Sequence, residues 1–213
     1  MMTPLLFNLN NKIVLVVGGG QVAHRRIRTL LVNGAQVICV SPVISENLRN
    51  IKEARLTLIH GNYGKEQLIN IDLVIAATNS RELNRQIKTD CQSQKIWCNR
   101  VDDPADSDFI FPSVIRRGDL TLSVCTEGSS PFLTKKIVAD LAVEYDESYA
   151  ERTALLRVLR KKLFAGTASK QENTEKLKAL SFCTVAELRK KLAEIENSVS
   201  NEQLTIDELE KNI

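Results

Sequence analysis

The sequence predicts an α/β fold: an open, mostly parallel sheet at the front of the chain, followed by a small α+β segment and a helical tail. Three observations predict it. Ile13-Val14-Leu15-Val16-Val17 is a continuous, largely β-branched run ending on glycine, as a strand buried on both faces does. Residues 22–32 carry apolar side chains at Val22, Ala23, Ile27, Leu30 and Leu31, the spacing of one helix face. Strand-like and helix-like runs then alternate to about residue 105, the order that βαβ units produce.

The elements follow in order. Asn33-Gly34 ends the first helix, because glycine accepts the left-handed backbone of a C-terminal cap. Val37-Ile38-Cys39-Val40 is the second strand, which completes a βαβ unit of about the expected ~30 residues. Residues 56–59 form a short strand, and residues 72–77 a buried one that ends at Thr78. Leu83, Ile87 and Cys91 mark the core stripe of a helix, and residues 96–99 the next strand, with Trp97 as a core aromatic. Near residue 105 the character changes. Residues 109–115 and 120–125 read as two strands of a hairpin joined through Arg117-Gly118-Asp119. Ser130-Pro131 opens a helix with serine as its cap and proline in its first turn. Leu133, Ile137, Leu141 and Tyr145 share a face of it. Beyond Asp146 the pattern is helical, with a break at Gly166-Thr167-Ala168-Ser169. Thr184 with Glu187, and Thr205 with Glu208, have capping-box spacing. The expected organisation is residues 1–112 as the parallel-sheet domain, 113–147 as a hairpin-plus-helix segment and 148–213 as a helical domain.

Composition narrows the function classes. With 43% hydrophobic and 26% charged residues in 213, a packed core is expected. No apolar run approaches the roughly 18 residues of a membrane span, and the N-terminus has no basic stretch before its apolar residues, against a secretory signal. Five scattered cysteines and two histidines suggest neither a disulfide framework nor a metal site, and a reducing cytoplasm is expected. A net charge of +3 gives no argument for nucleic acid. It leaves room for local basic clusters that receive an acidic small molecule.

The most informative motif is Gly18-x-Gly20-x-x-Ala23, between the first strand and the first helix. In a Rossmann-type unit the first glycine permits a tight turn and the second lets backbone approach a pyrophosphate. The small third residue allows close helix–strand packing. The helix N-terminus offers free N–H groups to the anion. The bland alternative is a tight turn without a ligand. An acidic residue at the end of the second strand would bind the ribose hydroxyls of NAD; here that strand ends Val40-Ser41-Pro42. Ser41 offers a hydroxyl but no acidic gate against NADP. His24-Arg25-Arg26 reads mainly as a solvated stretch of the first helix turns.

Several segments together resemble a known family: residues 15–23 around the glycines, Ala76-Ala77-Thr78 with Glu82-Leu83-Asn84, Asn99-Arg100-Val101-Asp102-Asp103-Pro104, residues 109–113, and Thr126-Glu127-Gly128-Ser129-Ser130-Pro131. In this order and spacing the chain resembles the precorrin-2 dehydrogenases, the NAD-dependent module of siroheme synthase, over residues 4–145. The resemblance implies oxidation of precorrin-2 to sirohydrochlorin, with a hydride passed to NAD and a proton to a base. It places the general base on Asp102 and nucleotide contacts on Gln21, Val22, Pro42 and Val43, beside Gly18 and Gly20 of the glycine motif. Ser41 and Thr78, at their strand ends, join that candidate set. The resemblance also implies a homodimer built through residues 113–146. Some members of the family insert ferrous iron as well, and others leave that step to a separate chelatase. Where the family usually has two adjacent glycines, this chain has Glu127-Gly128.

Read from the residues alone, Asp102 follows a predicted parallel strand at its C-terminal end, where open α/β sheets place ligands. Asp103, Asp106 and Asp108 compete for the role, and Asp-Asp-Pro is also ordinary turn chemistry. A tetrapyrrole rich in carboxylates needs cations and helix-cap donors. Arg116, Thr126, Ser129 and Lys135 are the candidates put first; Arg117, Lys136, Arg152, Arg157 and Arg160 are further basic residues. Two other classes compete with an enzyme: a dinucleotide-sensing module without chemistry, and a scaffold of tetrapyrrole synthesis. The Asn99–Pro104 segment and the hairpin-plus-helix favour the enzyme, since a sensor needs neither. Nucleic acid and membrane are not expected partners.

Overall fold

The computed structural model describes residues 2–166 and 168–210, with side chains to residue 197. The chain divides into two units, Met1–Phe111 and Pro112–Ile213.

In the first unit the β-branched runs become five strands: β1 (Ile13–Val17), β2 (Gln36–Ser41), β3 (Leu56–His60), β4 (Leu73–Ala76) and β5 (Trp97–Arg100). All pair in parallel, in the order β3-β2-β1-β4-β5. The chain steps outward from β1 to β3, then returns to the other side of β1 with β4. That reversal puts the topological switch point at the C-terminal ends of β1 and β4, the place where open α/β sheets take their ligands. Asp72 fixes the opposite end of the same pair. Its carboxylate accepts the Ile13 N–H at 2.8 Å and the Lys12 ammonium at 2.7 Å.

Strand periodicity sorts the core into two layers. Val14, Val16, Val37 and Cys39 face helix α1 (Gln21–Val32), which buries Ala23, Ile27, Leu30 and Leu31 against them. Leu15, Val17, Val74 and Ala76 face the other way, with Ile87 and Cys91 of the helix Arg81–Ser93. A four-residue helix, α2 (Glu46–Arg49), precedes that one, which is therefore α3. Ser80 caps α3 by accepting the Leu83 N–H at 3.2 Å. Parallel strands buried on both faces explain why this half of the chain reads as unbroken apolar runs.

Two expectations for this unit need correction. Trp97 is not a core aromatic; at the start of β5 it is 47% exposed and meets Phe7 edge-on at 5.3 Å. Residues 109–112 are not strand. Asn99 donates to the Phe109 carbonyl at 2.9 Å, and Phe109 and Phe111 turn their rings onto the α1 layer, so their apolar character reflects packing.

The second unit begins with an antiparallel hairpin, β6 (Ser113–Arg117) and β7 (Leu120–Val124), turned by Gly118-Asp119 with Gly118 at φ 57°. Helices α4 (Pro131–Glu144), α5 (Ser148–Ala165), α6 (Lys170–Leu180) and α7 (Val185–Glu210) follow. Ser130 caps α4 and Ser169 caps α6, each accepting a backbone N–H at 3.2 Å. The Thr184–Glu187 capping box forms: Glu187 accepts the Thr184 N–H at 2.7 Å, and Thr184 accepts the Glu187 N–H at 3.3 Å. Thr205-x-x-Glu208 starts no helix, because α7 runs through it. Leu159, Leu180 and Leu188 form the buried centre of α5, α6 and α7. On α4 only Thr134 is buried, and Leu133 of the predicted face is exposed while Ile137, Leu141 and Tyr145 are half-buried. Phe132 and Val143 are 86% and 82% exposed.

Ile27 is wholly enclosed between α1 and the sheet. Ile27→Ala is expected to cost about 2–5 kcal/mol, seen in urea unfolding as a lower midpoint with an unchanged slope.

Candidate functional site

The loop after β1 has almost no room for side chains. Gly18 has φ 123°, and a Cβ there would lie 2.2 Å from the Ala77 carbonyl oxygen. A Cβ on Gly19 would lie 2.1 Å from the Val43 carbonyl oxygen. The loops that leave β2 and β4 therefore press directly on the glycine backbone. Gly20 differs: a Cβ there would meet nothing within 4 Å. Its backbone borders open space, and it is the N-cap of α1 without any side-chain cap or first-turn acid. Gln21 and Val22, the first helical residues, are exposed. The first N–H groups of a helix have no partner within it, so this end is shaped for a diphosphate. The residues present fit a nicotinamide dinucleotide.

Ser41 does not have the freedom expected of it. It is the last residue of β2 and 5% exposed. Its hydroxyl donates to the Val43 carbonyl at 2.8 Å and accepts the Val43 N–H at 3.3 Å. The hydroxyl thus closes the turn over Gly19, and the exposed Pro42 and Val43 form the rim there. The solvated reading of His24-Arg25-Arg26 fails at Arg26. Its guanidinium stacks 4.2 Å from the centre of the Phe111 ring, and burial first, then Arg25, lowers its pKa to about 10.

A hydrogen-bonded chain runs from Thr78, which packs against the glycine loop, to the acidic cluster. Thr78 follows β4 and adjoins Gly18. Asn84 of α3, fully buried, accepts the Thr78 N–H at 3.1 Å and its hydroxyl at 2.7 Å. The Asn84 amide then donates to the Thr78 carbonyl at 3.2 Å and to Asp102 Oδ1 at 2.9 Å. Arg100, at the end of β5 with its side chain 4% exposed, donates to Asp102 Oδ2 at 2.7 Å and to Asp106 at 2.7 Å. Asp103 lies 3.6 Å from the same guanidinium. Burial would raise the pKa of Asp102, but the Arg100 and Asn84 hydrogen bonds, its own backbone N–H and the Arg100 charge outweigh it. Asp102 is held below the usual carboxylate range. Its hydrogen bond to Asp102 foremost, partly opposed by burial, keeps Arg100 firmly protonated.

The three competing aspartates have structural work. Asp103 caps the single turn Pro104–Asp106, Asp106 pairs with Arg100, and Asp108 accepts the Cys98 N–H at 2.8 Å and the buried Lys88 at 2.5 Å. Asn84 and Arg100 were quoted in the motifs without a role. Their only sequence signal was polarity at positions that helix and strand periodicity turn inward.

In the second unit, Thr126 accepts the Ser130 N–H at 3.2 Å and meets the Thr134 hydroxyl at 3.1 Å, so it braces the start of α4. Ser129, Arg116 and Lys135 are exposed. Glu127 takes φ 50° and Gly128 φ 89°, backbone that suits glycine at both positions. Of the further cations, Arg117 binds the Tyr145 carbonyl, Lys136 pairs with Asp140, Arg152 binds the Ser181 carbonyl, Arg157 pairs with Asp119, and Arg160 lies over Phe164.

The two outer glycines give opposite expectations. Gly18→Ala should destabilise the fold by about 2 kcal/mol or more, measured by thermal unfolding. Gly20→Ala should leave the unfolding temperature in place and weaken dinucleotide binding in calorimetric titration. Asp102 sets a pH dependence as well. Because its folded pKa is depressed, its contribution to stability is complete above the unfolded value of about 4 and is lost as pH falls through the folded value. Asp102→Asn should remove that part of the acid sensitivity in urea unfolding, while the two proteins keep parallel profiles from about pH 5 to 7.

Comparison with known proteins agrees with this geometry. An NAD(P)-binding family matches residues 5–113. The precorrin-2 dehydrogenase of Priestia megaterium is 34% identical over 80% of this chain and 86% of its own length. A siroheme synthase of Psychrobacter sp. (strain PRwf-1) is 34% identical over 74% of this chain, and the match spans 32% of that longer protein. Among solved structures, SirC, precorrin-2 dehydrogenase, superposes with a TM-score of 0.80 at 31% identity, over 92% of this chain and 100% of the other. The chain belongs to the NAD(P)-binding precorrin-2 dehydrogenase family.

Proposed function

We propose that this chain oxidises precorrin-2 to sirohydrochlorin in siroheme biosynthesis, with NAD as the oxidant. The observation that carries the mechanism is the continuous link from Gly18 through Thr78 and Asn84 to Asp102, which sets a carboxylate beside the dinucleotide loop. Bound NAD supplies an acceptor for the hydride. Gly18 makes the tight turn, Gly20 lets the backbone approach the diphosphate, Gln21 and Val22 meet it at the start of α1, and Ser41 shapes the rim at Pro42 and Val43. Thr78 completes the floor of the site.

Asp102 takes the proton. The overall step breaks a C–H bond, with its electron pair leaving as hydride, and releases one proton from the tetrapyrrole. Loss of hydride makes the remaining N–H and C–H protons acidic. A carboxylate held ionised by Arg100 and Asn84 suits such a donor, which it receives at neutral pH without first losing a proton of its own. Arg100 and Asn84 keep the carboxylate in place. Arg116, Thr126, Ser129 and Lys135 serve the carboxylate-rich periphery of the substrate, with Thr126 acting through the α4 cap.

Residues 113–147 form the dimerisation segment and 148–213 a helical domain. The exposed apolar residues of α4, Phe132 and Val143 foremost, support a homodimer. Five free cysteines, three of them buried in the first unit, support a cytoplasmic protein. Among the described residues, no helix is long and apolar enough to cross a membrane.

Anaerobic incubation with precorrin-2 and NAD, followed by NADH absorbance, tests the function. The wild-type chain should produce NADH, and Asp102→Asn should lower kcat by at least about a hundredfold while NAD still binds. Binding of NAD without any NADH from the wild type would instead favour a sensing module.

A further inference from the structure

Among the described residues, no carboxylate forms an ion pair with Arg26. Arg26 lies on α1 three residues after Ala23, and its guanidinium carbon sits over the Phe111 ring, 4.2 Å from the ring centre. Nε is buried and makes no hydrogen bond. The neighbouring charge that acts on it is Arg25, which repels it. Leaving a desolvated cation without a counter-charge is costly, and such groups are normally paired. The ring of Phe111 compensates in part. With Nε buried, the terminal N–H edge of the guanidinium is what remains for a partner. That edge is the planar fork that matches an oxyanion. Helix side chains lean toward the N-terminus of their helix, which for Arg26 is the end of α1 that opens at Gly20.

We infer that Arg26 is a ligand-binding residue: it receives an oxyanion of the molecule held at this loop, with Phe111 as the platform that fixes its orientation. Two sources share that chemistry, a phosphate of the dinucleotide and a side-chain carboxylate of the tetrapyrrole. The inference rests on the dehydrogenase reading above. It differs from the expectation for the backbone N–H groups of Gln21 and Val22, because it assigns a side chain whose environment is otherwise unfavourable.

Arg26→Met keeps an apolar stem on Phe111 and removes the charge; Arg26→Lys keeps a charge and loses the fork. Calorimetric titration with NAD, and the KM for precorrin-2 at saturating NAD, separate the two sources. A Kd for NAD raised roughly tenfold or more in Arg26→Met, with KM unchanged, supports the phosphate. A KM raised by the same factor with NAD binding unchanged supports the carboxylate. Arg26→Lys should fall between Arg26→Met and wild type in whichever quantity moves. Unchanged binding of both ligands by Arg26→Met would overturn the inference and leave the dehydrogenase reading standing. Failure of the wild type to bind NAD would overturn both. The unfolding temperature is a further discriminator. Removing an unbalanced, desolvated charge should leave it level or raise it, whereas a clear fall would assign Arg26 a structural role and overturn the inference.

Discussion

The close backbone approach at Gly18 and Gly19 is the constraint on which the functional end of the first unit depends. β1 lies between β2 and β4, and the chain segments that leave those two strands touch the loop after β1 at Val43 and Ala77. Any side chain at Gly18 or Gly19 would have to displace a neighbouring backbone, which cannot yield as a flexible side chain does. The contact brings together segments far apart in sequence: the glycines, the turn at Ser41 and the Thr78 corner. Gly20 is the complement of this crowding. It is the one member of the three whose missing side chain leaves space for a ligand instead of for the protein.

The electrostatics of the acidic cluster follow from a single buried cation. Arg100 is shared by Asp102, Asp103 and Asp106. Taking a guanidinium out of water is tolerable when several carboxylates surround it, and breaking one side of such a group leaves an uncompensated charge. The same arrangement keeps Asp102 ionised and immobile. Its value lies in orientation and constant charge, since a carboxylate with a depressed pKa does not change state across the neutral range. Arg26 presents the opposite case on α1, a cation with an aromatic support and no carboxylate. The contrast between the two arginines separates a cation whose charge carboxylates balance from one supported by a ring.

The second unit is built on different terms. Its leucine core between α5, α6 and α7 is small, and its helix ends are secured by Ser130, Ser169 and Thr184. Helix α4 buries little beyond Thr134. Glu127 holds a left-handed backbone that glycine adopts without strain. These local devices are all short-range, which makes this part of the chain readable as elements.

The amino-acid sequence by itself determined the elements and their order. Val14 to Val17, the Ile27 and Leu30 stripe, the Ser130-Pro131 cap and the glycine spacing each act within a few residues, so their signal survives in a linear reading. The tertiary structure decided the partners. Ser41 turned its hydroxyl onto Val43; Trp97 came to the surface beside Phe7; residues 109–112 packed as aromatic plugs instead of extending a strand. Asn84 met Asp102 across eighteen positions, and Arg26 met Phe111 from across the whole first unit. A polar side chain has the same identity whether water, a carboxylate or a ring surrounds it. What it does is set by desolvation and by neighbours that only the folded chain supplies.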